Sequence, residues 1–170
     1  MRISVPDDAP PVLRSSAAWA DLAARAEVDY HDTLPGAALV ERIGAAEAVL
    51  NIRASSKFTA EVFAALPALR LLSVWGTGVD HVDLEAAARC SVTVTNTPGV
   101  SAVSIAEHTL ALLLAVARRI PQVDAATRRG EWARGQSVEL RGKTCGVIGL
   151  GAIGRPTCVS RRRSKGLWLR

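Results

Sequence analysis

Little in this sequence points to a membrane, an export route or a disulfide framework. The longest uninterrupted apolar run, Leu110–Ala117, is eight residues, far short of the roughly 20 that span a bilayer. The first ten residues, MRISVPDDAP, hold no apolar h-region and two early acids, so no signal peptide is expected there. Cysteine is scarce: Cys90, Cys145 and Cys158 are odd in number and form no C-x-x-C pair. That usage fits reduced thiols in a cytoplasmic protein and gives no reason to expect a metal site. Acids run out early as well, since the last one is Glu139.

The formal charge is +5, which would suggest nucleic acid if it were spread over a surface. It is not. Arg155, Arg161, Arg162, Arg163, Lys165 and Arg170 all follow Gly154, while the other fifteen basic residues face sixteen acids. The part before the tail is near neutral, so neither a nucleic-acid nor a membrane partner is expected. The Arg161–Arg163 run lacks the aromatic interleaving that a single-strand binding surface uses.

Hydrophobic residues make up 49% of the 170 and charged residues 22%, a globular balance. Short β-like runs at Arg2–Val5, Val28–Tyr30, Ala48–Ile52, Leu71–Trp75 and Val92–Thr95 alternate with helical spacings at Ser16–Ala26, Pro35 to Ala48, Thr59–Leu66 and Leu84–Cys90. Such alternation implies parallel strands joined by crossover helices, an α/β fold. Asn96-Thr97-Pro98-Gly99 breaks the pattern. Ser104 and Glu107 have the spacing of a capping box opening a long helix. That helix is apolar nearly all round, as expected of one lying between packed layers. Pro121 starts a second, polar helix, and Thr144–Ile148 reads as a buried strand.

That strand leads into Gly149, Gly151 and Gly154, a G-x-G-x-x-G. One glycine permits a sharp turn, one a close approach of backbone to pyrophosphate, and one close packing of helix on strand. A second glycine turn, Gly76-Thr77-Gly78-Val79, follows the strand Leu71–Trp75 and can offer N–H groups to an anion. It can also be read as a plain turn with Gly78 chosen for φ > 0. Arg53 follows another strand end and faces either the same cleft or solvent. His81 lies between Asp80 and Asp83 in what reads as a solvated loop. His108 reads as a packing or capping residue, and His31 beside Asp32 suggests nothing.

The stretches WGTGVDHVDLEAA, VTVTNTPGVSAVSIAEHTLALLLAVARRIP, GEW and ELRGKTCGVIGLGAIG, in this order, resemble the D-isomer-specific 2-hydroxyacid dehydrogenase family. The resemblance implies a flavodoxin-like substrate domain over residues 1–97 and the beginning of a Rossmann NAD-binding domain over 98–154. Residues 155–170 form a non-matching basic tail. It implies NAD as cofactor, held by Ile105, Gly149, Gly151, Ala152, Ile153 and Gly154. It implies a small 2-hydroxy or 2-oxo acid as substrate, held at Thr77, Gly78 and Val79 with Arg53 nearby, and dimerisation as in other members.

After Gly154 the family pattern stops. Pro156 would interrupt the expected helix, no acid remains for the adenosine ribose, and no histidine here matches the family's general acid–base. The expectation is a chain cut after the glycine turn, its last 15 or so residues read from another frame, with no catalytic residue of its own. The other readings are a non-catalytic α/β module with a partner-binding tail, or one half of a split enzyme.

Overall fold

The computed structural model describes residues 1–163, which fall into two compact units, Met1–Pro98 and a second that begins at Gly99. In the first, five short strands alternate with helices: β1 (Arg2–Val5), α1 (Ala18–Arg25), β2 (Glu27–Tyr30), α2 (Leu39–Ile43), β3 (Ala48–Asn51), α3 (Ala60–Ala64), β4 (Leu71–Val74), α4 (Leu84–Arg89) and β5 (Thr93–Thr95). All strand pairs are parallel and the order is β2-β1-β3-β4-β5. This is the flavodoxin-like order, so the α/β reading of residues 1–97 holds.

Right-handed crossovers put α2, α3 and α4 on one face of this sheet and α1 on the other. Leu39 and Ile43 of α2, Phe63 of α3, and Ala86 and Ala87 of α4 form the core with Val49, Leu72 and Val74. The opposite face is thinly covered. No residue of α1 is buried, and an apolar groove lies there among Ile3, Leu13, Leu22, Leu50 and Trp75. The helix expected to run from Pro35 to Ala48 is shorter. A 3-10 turn at Gly36–Ala38 leads into α2, which ends where Gly44 takes φ +53, a conformation that glycine adopts without strain.

The second unit holds α5 (Ala102–Arg118), α6 (Ile120–Arg128) and α7 (Gly154–Arg163). Five expectations fail here. Helix α5 begins at Ala102, so Ser104 lies inside it and forms no capping box, and Ser101 at the cap position makes no side-chain bond. The Thr144–Ile148 segment forms no strand. A strand needs a partner to accept and donate its ladder bonds, and no strand occurs among the described residues of this unit. Ile148 is accordingly fully exposed.

Without a sheet to cover it, α5 buries only Ala102, Ala106 and Ala117, and Leu112 and Val116 stand exposed instead of lying between layers. His108 is exposed as well and neither packs nor caps. Pro156, expected to break a helix, is the third residue of α7. It sits between the Arg155 and Thr157 N–H groups that bond the Gly151 and Ile153 carbonyls, so in this first turn it removes only the one bond that would reach Ala152. Among the described residues no helix is long and apolar enough to cross a membrane.

Candidate functional site

In an open parallel sheet, ligands bind outside the carboxyl ends of the strands. In the first unit those ends carry Pro6–Asp8 after β1, Ile52–Lys57 after β3 and Trp75–His81 after β4. The last of these contains the glycine turn. Gly76 is fixed at both ends of its peptide: its N–H donates to the Val74 carbonyl at 2.9 Å, and its own carbonyl accepts from the Thr97 N–H at 2.9 Å. Asn96 Nδ2 donates to the Thr77 carbonyl at 2.8 Å, and the Val82 N–H donates to the Val79 carbonyl at 2.9 Å.

The Gly76, Thr77 and Val79 carbonyls thus accept, whereas the N–H groups of Thr77, Gly78 and Val79, and of Asp80 and His81 after them, donate to nothing among the described residues. Consecutive free donors at a strand's carboxyl end form a cradle suited to a carboxylate. Gly78 is not there for positive φ, which corrects that part of the plain-turn reading. Neither Gly76 nor Gly78 is in the left-handed region, and a Cβ on Gly78 would meet only Asp80 Oδ2, at 3.6 Å.

Arg53 lies at the neighbouring strand end. Its Nη2 donates to the Pro10 carbonyl and sits 3.9 Å from Asp8 Oδ1, while its buried Nε finds no acceptor. Asp8 is itself fully buried and accepts from the Val12 and Leu13 N–H groups at 2.9 and 2.8 Å and from the Tyr30 hydroxyl at 2.7 Å. Burial, then the bond to Asp8, pushes the Tyr30 phenol up to about 12.

Sequence reasoning missed the polar cluster beneath the cradle. His81 is not in a solvated loop but is 7% exposed, with Nε2 2.7 Å from Asn51 Oδ1. Burial, then the Lys57 charge, holds its imidazole below the ordinary histidine range, against the pull of Asp7 and Asp80. Asp83 caps α4 through the Ala86 N–H at 2.8 Å. No cluster among the described residues has the makings of a metal site.

The second unit presents the other glycine turn. Gly149 takes φ +90, and a Cβ on Gly154 would lie 2.0 Å from the Gly149 carbonyl oxygen. Both positions therefore demand glycine. Gly151 has open space around it. The N–H groups of Gly151, Ala152 and Ile153 donate to nothing among the described residues, while the Gly151 and Ile153 carbonyls accept from Arg155 and Thr157 at 3.2 Å as α7 begins. Free donors at a helix start suit a phosphate. Ile105 lies on α5, partly exposed, and nothing in this unit's geometry ties it to the turn.

The family model for the D-isomer specific 2-hydroxyacid dehydrogenase catalytic domain matches residues 4–157. The chain belongs to the D-isomer-specific 2-hydroxyacid dehydrogenase family. A D-3-phosphoglycerate dehydrogenase of Archaeoglobus fulgidus is 41% identical over 130 residues, 75% of this chain and 24% of that protein. The TT0316 protein from Thermus thermophilus superposes with a TM-score of 0.83 at 35% identity, covering 94% of this chain and 52% of that one. An acyclic imino acid reductase in complex with NADPH and D-Arg superposes at 0.79 with 26% identity, covering 94% and 52%. The chain thus spans about a quarter of that curated relative and half of these solved structures.

Proposed function

We propose that the first unit is the substrate domain of an NAD-dependent D-2-hydroxyacid dehydrogenase, and that the second begins its cofactor domain. The observation that carries this reading is the run of unpaired N–H groups that begins with Thr77, Gly78 and Val79, at the strand end next to that of Arg53. These donors would bind the carboxylate shared by a 2-hydroxy acid and its 2-oxo product, fixing C2 without reading the rest of the molecule.

On the cofactor side, Gly151, Ala152 and Ile153 would donate to the pyrophosphate at the start of α7, with Gly154 keeping that helix close to Gly149. When bound, NAD would accept the hydride that leaves C2 as the alcohol becomes a ketone. The hydroxyl proton then needs a base. No histidine of this chain matches the family's general acid–base, and His81, whose Nε2 is held by Asn51, is not assigned that role. The chain by itself is therefore proposed to hold the acid and to transfer no hydride.

A titration with D-lactate, the smallest chiral 2-hydroxy acid, followed in the amide nitrogen–proton NMR spectrum, tests the reading. The Thr77, Gly78 and Val79 resonances are expected to move together and to saturate. Shifts scattered over the surface, or none, would remove its basis.

A further inference from the structure

We propose that Asp7, Asn51 and His81 form a buried positioning chain that holds the Thr77–Val79 cradle in register with Arg53. This rests on the cradle reading above. The three residues come from three strand ends and lie 44 and 30 positions apart along the sequence. They are 0%, 1% and 7% exposed. A carboxylate taken out of water is tolerated only when donors surround it. Asp7 Oδ1 accepts from the Ile52 N–H at 2.9 Å, and Oδ2 accepts from the Arg53 N–H at 3.2 Å and from Asn51 Nδ2.

The polarity of the chain follows from that carboxylate. Asn51 Nδ2 faces two acceptors, Asp7 Oδ2 and the Arg53 carbonyl at 2.9 Å, so the amide nitrogen must be on that side. Asn51 Oδ1 then faces His81 and can only accept, so His81 Nε2 carries the hydrogen and donates. A depressed imidazole pKa fits this neutral tautomer.

The main chain repeats the linkage. The Trp75 N–H donates to the Asn51 carbonyl at 2.8 Å, and the His81 carbonyl accepts from the Phe58 N–H at 2.9 Å. His81 ends the segment that begins at Trp75, so both ends of the cradle segment are tied to the β3 side. Asp7 holds the Arg53 backbone in the same bond set. One buried carboxylate thereby fixes both segments proposed to meet the substrate, without touching it.

The test compares the full chain with three variants. His81→Phe keeps a ring but removes the donor, Asn51→Leu cuts the chain in its middle, and His81→Gln keeps an amide hydrogen near the Nε2 position. D-lactate binding, read at the Thr77–Val79 amides, is expected to weaken about tenfold in His81→Phe and Asn51→Leu. It should stay within about twofold in His81→Gln. Backbone relaxation should show Gly76–Asp80 loosened in the first two variants and not in the third. Ile43→Ala, which removes core volume away from these bonds, should lower the melting temperature and leave binding unchanged, as a merely structural role would not predict for the other variants.

Folded His81→Phe or Asn51→Leu chains with native binding and a native loop would overturn the proposal. So would a folded His81→Gln chain that binds as poorly as His81→Phe. If D-lactate fails to bind the unaltered chain while the loop still loosens in His81→Phe, the substrate reading falls and the positioning role stands. If the loop stays rigid in every variant, the positioning role falls.

Discussion

A Cβ added to Gly154 would lie 2.0 Å from the carbonyl oxygen of Gly149. No real Cβ approaches a backbone oxygen so closely, so α7 can start where it does only because residue 154 has no side chain. Gly154→Ala is expected to push α7 away from the turn and to destabilise the second unit by about 1–3 kcal/mol, the usual cost of overpacking. Urea unfolding followed by helical circular dichroism reads this. Gly151→Ala, with open space around it, should change stability by less than about half of that.

Tyr30 is the only tyrosine in the chain, so phenolate absorbance reports on it alone. Its folded pKa is raised from 10.0 to about 12, by burial first and then by the hydrogen bond to Asp8. A raised acid contributes stability that is complete below the unfolded value of 10 and fades as pH climbs towards 12. The folded chain is expected to ionise well above pH 10, and the chain in strong denaturant near 10. Equal midpoints in the two states would contradict the part-buried Tyr30–Asp8 contact.

His81 gives the opposite dependence. Its folded pKa lies below the unfolded value of 6.5, because burial and the Lys57 charge disfavour the cation. The unfolded chain then binds more protons as pH falls below 6.5, so stability present at neutral pH declines under mild acid. Asp7 and Asp80 oppose the shift and limit its size. Melting curves at neutral pH and at about pH 5.5 should differ more for the unaltered chain than for His81→Gln. An identical drop in both would assign the effect to carboxylates.

Between α6 and α7, residues 131–149 form no helix or strand and are largely exposed, including Arg134, Arg141 and Lys143. Proteases cut such backbone first. Brief trypsin treatment is expected to release a fragment that begins at Met1 and ends within Arg134–Lys143. First cuts inside the first unit, at Arg42 or Arg70, would contradict the packing described for it.

The five strands of the first unit were readable because each carries Val, Ile, Leu or Thr in a short run between turn residues, even β2 with its two acids, and each finds a parallel partner. Thr144–Ile148 has the same composition and forms none, since β structure depends on a neighbour that local sequence does not reveal. Helix starts were displaced for a related reason. Ser104 and Glu107 carry a valid capping pattern, yet α5 had already begun at Ala102. The glycines at 76, 78, 149, 151 and 154 marked both candidate sites from sequence. The Asp7–Asn51–His81 chain left no local signal, because its members meet only when three strand ends converge. His81 beside Asp80 looks solvated for the same reason.

The central proposal is that this chain presents the acid-holding cradle of a D-2-hydroxyacid dehydrogenase and performs no oxidation by itself. The most direct measurement is NADH absorbance in a rigorously purified preparation, with pyruvate and NADH in one direction and D-lactate and NAD in the other. The account predicts no protein-dependent change in either direction, even where D-lactate saturates the Thr77–Val79 amides. A steady change proportional to protein concentration, and persisting through further purification, would contradict it.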